Sequence, residues 1–278
     1  MDSVVARKML RTMEPYHGWI YFVPEAHERY AALGVTDRQM GYFGSRSAPM
    51  GAVPADVVIA TFFNFYPGLI RRFVPKVWEI TTPEALIYER FAAADAMLRR
   101  ILGEAVASPE MKEASELARR AAEACTPEGR PLYAGHASLD WPDEEHLVLW
   151  HAQTLLREFR GDGHIAALVA AGLDAPEALI THGATATVGM DVLQRSRAWP
   201  ANEWNAAAER LRSRAWLDAD GAFTPEGAAA RERIEELTDE LAMRPWNAIG
   251  EDACDRLRAL VRPWSRAISE SDAEFPMR

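Results

Sequence analysis

The chain contains few cysteines, and this limits the kinds of site it can build. Its 278 residues include two cysteines, Cys125 and Cys254, both in segments with helical patterning. A disulfide framework and a zinc site made of cysteine clusters are therefore excluded. Such sparse cysteine usage fits a reducing compartment.

Long apolar runs are also missing. No stretch approaches the roughly 18 consecutive apolar residues of a membrane-spanning helix. Near the start, Arg7, Lys8 and Arg11 lie in an amphipathic stretch and do not precede the apolar core of a signal peptide. We therefore expect a soluble, cytoplasmic protein that has no membrane partner.

Positive charge is in the minority. The 31 lysines and arginines stand against 41 aspartates and glutamates, which gives a formal net charge of -10 at pH 7. This balance opposes approach to a nucleic-acid backbone or an anionic membrane, unless basic residues cluster locally. DNA is therefore an unfavoured partner.

What the sequence does contain is a series of amphipathic helices. Apolar residues recur at three- and four-residue spacing, often after a Pro-Glu start that suits the first turn of a helix. A short β-hairpin is predicted over Leu217–Phe223, with its turn at Asp220-Gly221. Helices are predicted over 83–102, 109–124, 142–159, 201–216 and 225–243.

The order of helices, hairpin and long helix carries a family resemblance. The run Ala208–Leu217 is followed by the hairpin and then by Phe223-Thr224-Pro225-Glu226-Gly227. Over residues 142–268 this pattern resembles the winged-helix domains of MarR-type regulators. The resemblance implies a DNA-recognition helix, a β wing and a long dimerisation helix that begins at Pro225.

The N-terminal half contains a weaker copy of the same pattern. At one constant offset in sequence, Leu69 aligns with Leu211 and Thr82 aligns with Thr224. The alternative is that alanine-rich helices align by chance. We predict a mostly α-helical fold of tandem degenerate winged-helix repeats, packed as an intramolecular pseudo-dimer, with one or two small β-hairpin wings. Repeat 1 covers 1–125, a linker covers 126–141 and repeat 2 covers 142–270; further pairing into a homodimer is left open.

A second resemblance extends over the complete chain. The runs Pro15-Tyr16-His17, Gly41–Gly51 and His146–His164 are similar to those of a family of actinobacterial helix-turn-helix-like proteins without an assigned activity. This resemblance supports the fold and implies no reaction.

Both repeats lack features that a winged helix uses on DNA. The wing of repeat 2 carries Asp218 and Asp220, which would repel phosphates. The equivalent of the recognition helix in repeat 1, Thr61–Gly68, is apolar and is predicted to be core or the wall of an apolar pocket. A MarR-like, ligand-responsive DNA-binding regulator stays the alternative, because six basic residues could form a local face: Arg71, Arg72, Lys76, Arg210, Arg212 and Arg214.

Histidines and charges cluster around one glycine-containing segment. His151 and His164 flank Arg157–Gly163, where two glycines are predicted to break the helix and restart it near His164. The two histidines would then face one cleft. The new helix N-terminus and Arg160 would attract an anion there.

Proton transfer in this cleft would use His151 or His164, oriented by Asp162 or Glu158. The alternative is that Asp162 caps the helix, that the other charges are solvated, and that each histidine is half-buried with its hydrogen bonds satisfied.

A second candidate site is the predicted loop Gly41–Gly51, in which Arg46 is the one charged residue. Tyr42 and Phe43 favour packing of this loop, and a buried arginine needs an anionic partner from the protein or from a ligand. The protein partners considered are Glu158, Asp162 and Asp56.

Metal ligation is a less supported alternative. Ligands for zinc, iron, copper or haem could come from His17, His27, His151, His164 and His182, with Glu158 and Asp162. No His-x-x-x-His pair marks a helical metal site, so distant segments would have to meet. The metal and the cofactor are left unassigned.

The sequence thus predicts a small-molecule-binding protein, or an enzyme, that holds a polar or anionic ligand in a His/Arg-lined cleft between two repeats without DNA readout. The predicted catalytic residues are His151, His164, Asp162 and Glu158. The predicted ligand-binding residues are Arg46, Arg160, His17, Tyr42, Phe43 and Asn64.

Overall fold

The computed structural model describes residues 1–271, which form sixteen α-helices joined by short connections. The first eight are α1 (Val4–Gly18), α2 (Pro24–Ala32), α3 (Arg38–Ser47), α4 (Ala55–Phe62), α5 (Pro67–Phe73), α6 (Lys76–Ile80), α7 (Pro83–Leu102) and α8 (Pro109–Glu123). The others are α9 (Pro131–Ala137), α10 (Glu145–Ala170), α11 (Ala175–Gly183), α12 (Met190–Ser196), α13 (Ala201–Ser213), α14 (Pro225–Leu241), α15 (Arg244–Ile249) and α16 (Glu251–Glu270). Short 3-10 helices lie at Trp19–Tyr21, Ala48–Met50 and Gly103–Ala107.

Local sequence sets the start of several helices. Thr82, Ser108 and Thr224 each accept a hydrogen bond from a backbone N–H three residues on, and a proline follows at the first helical position. The helices predicted over 83–102, 109–124, 201–216 and 225–243 correspond to α7, α8, α13 and α14.

The hairpin between α13 and α14 is minimal. Leu217 and Phe223 form one antiparallel bridge, and the Asp218 N–H donates to the Ala222 carbonyl at 2.9 Å. Gly221 has a φ of 84°, which a tight turn favours. The turn lies where the sequence predicted it, but this bridge is the extent of β pairing within residues 1–271. The mostly α-helical prediction is confirmed.

Two hydrophobic cores organise the helices. The first is built from α1–α9 and the N-terminal part of α10, and α15 and α16 complete it with Trp246 and Leu257. The second lies between the C-terminal part of α10 and α11–α14, and it contains Trp204. α10 therefore runs through both cores, with Trp150 in the first and Leu168 in the second.

The predicted helix break at Arg160–Gly163 is wrong, because α10 is continuous through it. The Asp162 carboxylate accepts a hydrogen bond from the Tyr133 N–H at 2.9 Å, and a Cβ on Gly163 would lie 2.7 Å from Nη1 of Arg130. The glycine therefore allows Arg130 and α9 to approach the helix closely. Tertiary contact outweighs the cost of about 1 kcal/mol that glycine imposes on a helix interior.

The predicted loop at Gly41–Gly51 is also wrong, since α3 and a 3-10 helix occupy it. Asp37 caps α3 by accepting hydrogen bonds from the Gln39 and Met40 N–H groups. A Cβ on Gly44 would lie 2.8 Å from the Val77 side chain. This glycine thus provides close helix packing instead of a flexible turn.

The predicted linker 126–141 contains α9, whose Leu132 and Tyr133 are buried in the first core. Cys125 and Cys254 are buried free thiols. Within residues 1–271, no single helix has the length and apolar composition to cross a membrane, although the bent pair α10 and α11 together meets both criteria on length and composition alone.

Candidate functional site

The centre of the candidate site is an ion pair between α3 and α10. Arg46 donates from Nε to Oε1 of Glu158 at 2.9 Å and from Nη2 to Oε2 at 2.7 Å. Its Nη1 donates to the Tyr42 hydroxyl at 2.8 Å. Of the three carboxylates predicted as protein partners for Arg46, the structure pairs it with Glu158.

A second arginine extends the pair into a chain of charges. Arg157 donates to Oε1 of Glu158 at 3.0 Å and to the Glu14 carboxylate at 2.9 Å. Burial alone would raise the pKa of Glu158, but Arg46 and Arg157 outweigh it and hold that pKa well below its usual value. Glu158 is therefore charged at neutral pH and cannot donate a proton there.

His17 of α1 lies beside this chain. Its Nδ1 is 3.0 Å from the Thr154 hydroxyl and its Nε2 is 3.4 Å from the Tyr21 hydroxyl. Burial lowers the pKa of His17 well below its usual value, and the nearby positive charges of Arg157 and Arg90 lower it further. The ring is neutral at pH 7.

Arg90 of α7 belongs to this region, although it is not among the residues predicted from the sequence. It is 2% exposed, its Nη2 donates to the Tyr21 hydroxyl at 3.1 Å, and its guanidinium lies 5.1 Å from the Trp150 ring centroid. Among residues 1–271, no carboxylate pairs with Arg90, and its Nη1 has no hydrogen-bond partner. A sequence signal was present, because Arg90 occupies the apolar stripe of α7, four residues from both Leu86 and Ala94.

A small cavity of about 30 Å³ lies between α2 and α3, and Arg90 is linked to its wall through the Tyr21 hydroxyl. Tyr21, Tyr30 and Ser45 line it. The Tyr30 and Ser45 hydroxyls are buried, and no hydrogen bond of regular geometry reaches either among the described residues, although the two hydroxyls and Arg90 lie close enough to interact. Burial raises the pKa of Tyr30, opposed by the positive charge of Arg90 and by the Ser45 hydroxyl.

A second cavity of about 20 Å³ lies on the other side of the charge chain. Glu14, His17, Gln153 and Arg157 line it, and both polar atoms of the buried Gln153 amide lack a partner within residues 1–271. Each cavity is large enough for one or a few water-sized groups. Tyr21 lines the first cavity and His17 lines the second, and the Tyr21 hydroxyl is 3.4 Å from Nε2 of His17.

Positive charge exceeds negative charge in this region. Arg197 adds a further guanidinium, 4.7 Å above the Phe65 ring; burial lowers its pKa, and the positive charges of Arg46 and Arg157 add to this. We define the buried arginine cluster as Arg46, Arg90, Arg157 and Arg197 with the carboxylates of Glu14 and Glu158. The arginines thus outnumber the carboxylates by two.

The predicted convergence of His151 and His164 does not occur. They lie thirteen residues apart on the continuous α10, which corresponds to about 20 Å along the helix axis. His151 lies 4.9 Å from the Trp141 ring, and neither of its nitrogens has a partner among the described residues. The Nδ1 of His164 is 2.9 Å from the Thr238 hydroxyl. Burial lowers the pKa of each histidine to about 4, so both are neutral at pH 7.

The remaining predicted residues lie around the cluster or outside it. Phe43 packs 5.0 Å from the Phe65 ring in the first core, and the Asn64 carbonyl accepts from the Trp199 indole at 2.9 Å. Arg160 donates to Asp239 of α14 at 2.9 Å. Because no helix begins at His164, the predicted anion site at a helix N-terminus is wrong.

Asp162 faces α9 instead of a histidine. Burial raises its pKa to about 6, opposed by the hydrogen bond from the Tyr133 N–H. Within residues 1–271, no group of three or more histidine, cysteine, aspartate or glutamate side chains is arranged to hold a metal ion.

The arginines of α13 are engaged within the protein. Arg214 donates to the Gly172 and Ala171 carbonyls at 3.0 and 2.9 Å, where α10 ends. Arg210 pairs with Asp174 and with Glu177 of α11, and Arg212 donates to the Asp218 carbonyl at 3.2 Å. Their side chains therefore tie α13 to its neighbours.

Comparison with known protein families places the chain in a family. A model of a helix-turn-helix family matches residues 6–275, almost the whole chain. No curated protein and no solved structure is significantly similar to this chain. Because the match covers far more than half of the sequence, the chain belongs to this helix-turn-helix family.

Proposed function

We propose that this protein binds a small anionic molecule at the buried arginine cluster. The observation that carries the proposal is Arg90, a buried arginine that has no carboxylate partner among the described residues and lies close to the buried hydroxyls of Tyr30 and Ser45. A carboxylate group of a ligand would supply both the missing charge and the missing hydrogen-bond acceptors.

The energetic argument starts from the cost of burial. Removing a guanidinium from water costs several kcal/mol unless an opposite charge compensates for it. The Tyr21 hydroxyl offsets part of this cost by accepting a hydrogen bond from Arg90. The rings of Tyr21 and Trp150 offset a further part through cation–π contacts. An anion in the cavity lined by Tyr21, Tyr30 and Ser45 would offset more through its charge, with the Tyr30 and Ser45 hydroxyls as its hydrogen-bond donors.

The size of the cavity restricts the ligand class. A volume of about 30 Å³ suits a carboxylate- or nitrate-sized group and excludes a large substrate unless the helices move. The proposed ligand is therefore a small monocarboxylate, or a larger molecule that inserts only its carboxylate.

The proposed site also fits the predicted repeat organisation. In this interpretation α10–α16 (repeat 2, residues 142–270) form a MarR-like winged-helix unit, and α1–α8 (repeat 1, residues 1–125) form a degenerate second copy. The caps at Thr82 and Thr224, each followed by proline, support it. Arg46 and Arg90 then come from the first copy and Glu158 from the second, so that the ligand lies where the copies of a pseudo-dimer meet.

The regulator alternative rests on membership of the helix-turn-helix family. Readout of DNA by α13 has little support, because Arg210, Arg212 and Arg214 are held by protein groups and the adjacent turn exposes Asp218 and Asp220. Catalysis by His151, His164, Asp162 or Glu158 stays a prediction.

The test compares thermal unfolding in sodium acetate and in sodium chloride at equal ionic strength, with sodium nitrate as a second probe. The midpoint should rise with acetate or nitrate concentration relative to chloride, because a ligand that binds only the folded state stabilises it. The variant R90M should lose this rise. The variant R99M, at an arginine on α7 that is about half exposed and paired with Asp95, should keep it.

Two conservative variants guard against misfolding of R90M. Y30F and S45A each remove one hydroxyl from the cavity and should raise the acetate concentration needed for half of the effect several-fold. Equal midpoints in all three salts for the unaltered protein, or an undiminished rise in R90M, would refute the proposal.

A further inference from the structure

A basic groove runs along the surface between α1 and α16. Its volume is about 390 Å³, and the positively charged residues that line it are Lys8, Arg11, Arg258, Arg262 and Arg266. Among the described residues that form its lining, none is acidic. A groove of this kind is unexpected in a chain with a net charge of -10.

Most of these charges are available to a partner. Lys8, Arg11, Arg262 and Arg266 are exposed, and none of them forms an ion pair within residues 1–271. Arg258 pairs with Asp255 at 3.1 Å. By contrast, the arginines of α13 are held by protein groups.

The positions of the charges follow from helix geometry. Arg258, Arg262 and Arg266 are four residues apart on α16 and therefore lie on one face, about 6 Å apart along its axis. Lys8 and Arg11 lie on the adjoining face of α1, which α16 holds by a hydrogen bond from the Ser265 hydroxyl to the Thr12 carbonyl at 2.6 Å. The result is a row of charges about 12 Å long with a second row beside it.

We propose that this groove binds the phosphate backbone of a nucleic acid without reading its sequence. One strand of a duplex places a phosphate about every 3.4 Å along the axis, so the row on α16 spans three or four phosphates. Regularly spaced, exposed arginines suit a polymer of repeated charge. An anionic membrane fits less well, because none of the large exposed apolar residues of the described chain lines the groove.

The test is fluorescence anisotropy with a labelled 20-base-pair duplex of arbitrary sequence, in 25–200 mM KCl. The unaltered protein should bind in the micromolar range at the lowest salt, and its affinity should fall as salt rises. The variant R11Q/R262Q/R266Q should bind at least ten-fold more weakly at 50 mM KCl. Its logarithmic salt slope should be shallower by about 2–3, as expected for the loss of three phosphate contacts.

The matched control is R120Q/R195Q/R233Q, which removes the same charge from exposed positions on α8, α12 and α14. Its affinity should stay within three-fold of the unaltered protein. Equal losses in both triple variants, or no binding at 25 mM KCl, would overturn the proposal. Binding to phosphatidylglycerol vesicles that is tighter than binding to DNA, and that is lost in the groove variant, would overturn it in favour of a membrane.

Discussion

Arg46 and Glu158, 112 residues apart in sequence, form an ion pair with two hydrogen bonds that joins α3 to α10 inside the protein. The Glu158 side chain is 1% exposed and that of Arg46 is 12% exposed. A pair so deeply buried is costly to break, because the surviving charge cannot reach water.

The first prediction concerns the loss of this negative charge. E158Q should lower the free energy of unfolding by roughly 3–5 kcal/mol, since it leaves Arg46 and Arg157 without their shared carboxylate. The matched control is E14Q, at a carboxylate whose side chain is 39% exposed, and it should cost less than about 1 kcal/mol. Urea unfolding measures both changes, and similar losses in the two variants would contradict this account of the pair.

The second prediction uses the two glycines within α10. G161A should stabilise the protein by about 0.5–1 kcal/mol, because its Cβ meets nothing closer than 3.6 Å and alanine favours a helix. G163A should instead destabilise it by about 1–2 kcal/mol. Its Cβ would displace Arg130, which donates to the Phe159 carbonyl and, at 2.8 Å, to the Leu241 carbonyl. The thermal unfolding midpoint should rise in G161A and fall in G163A. A shift of both midpoints in the same direction would rule out the packing role of Gly163.

The third prediction concerns acid stability and His151. Its folded-state pKa of about 4 lies below the usual value of 6.5. Its contribution to stability is therefore full above pH 6.5 and is lost as the pH falls towards 4. H151L should flatten the pH dependence of the unfolding free energy over that range by up to about 3 kcal/mol. An unchanged slope between pH 7 and pH 4 would show that His151 is not buried in its neutral form.

The fourth prediction concerns Asp162, for which the sign is opposite. Burial raises its pKa from 3.8 to about 6, so the charged carboxylate weakens the folded state above pH 6. Protonation restores stability as the pH falls from about 6 to 3.8. D162N should raise the unfolding free energy at pH 8 by up to about 3 kcal/mol, while its amide oxygen still accepts from the Tyr133 N–H. At pH 4 the difference should vanish; a loss of stability that is the same at pH 8 and pH 4 would contradict the prediction.

Local patterns in the sequence predicted helices correctly where the capping residues and the spacing of apolar residues agreed. Thr82 and Ser108, each followed by Pro-Glu, mark the starts of α7 and α8 at the predicted positions. They succeed because the capping hydrogen bond and the proline act within four residues. Glycines gave the opposite result, since Gly44, predicted in a loop, and Gly163, predicted to break a helix, are helical positions of close packing.

The candidate site was predictable only in part. Four of the predicted residues do lie in or beside one cluster, namely Arg46, Glu158, Tyr42 and His17. Their charged and polar side chains marked them as candidates in the sequence. The apolar stripe of α7 indicated burial of Arg90, but only the tertiary structure shows that no carboxylate among the described residues pairs with it. His151 and His164 were placed together because a broken helix would let them converge, whereas the continuous α10 separates them.

The sequence by itself determined the helical class, the starts of several helices, the hairpin turn and the membership of a helix-turn-helix family. These follow from interactions between residues close in the chain. The tertiary structure alone decided which charges are buried, which arginines are paired and which remain available to a ligand. That outcome depends on contacts such as Arg46 with Glu158 and Arg7 with Asp239, whose partners are more than a hundred residues apart. The free energy of such contacts is set by burial, which no local pattern specifies.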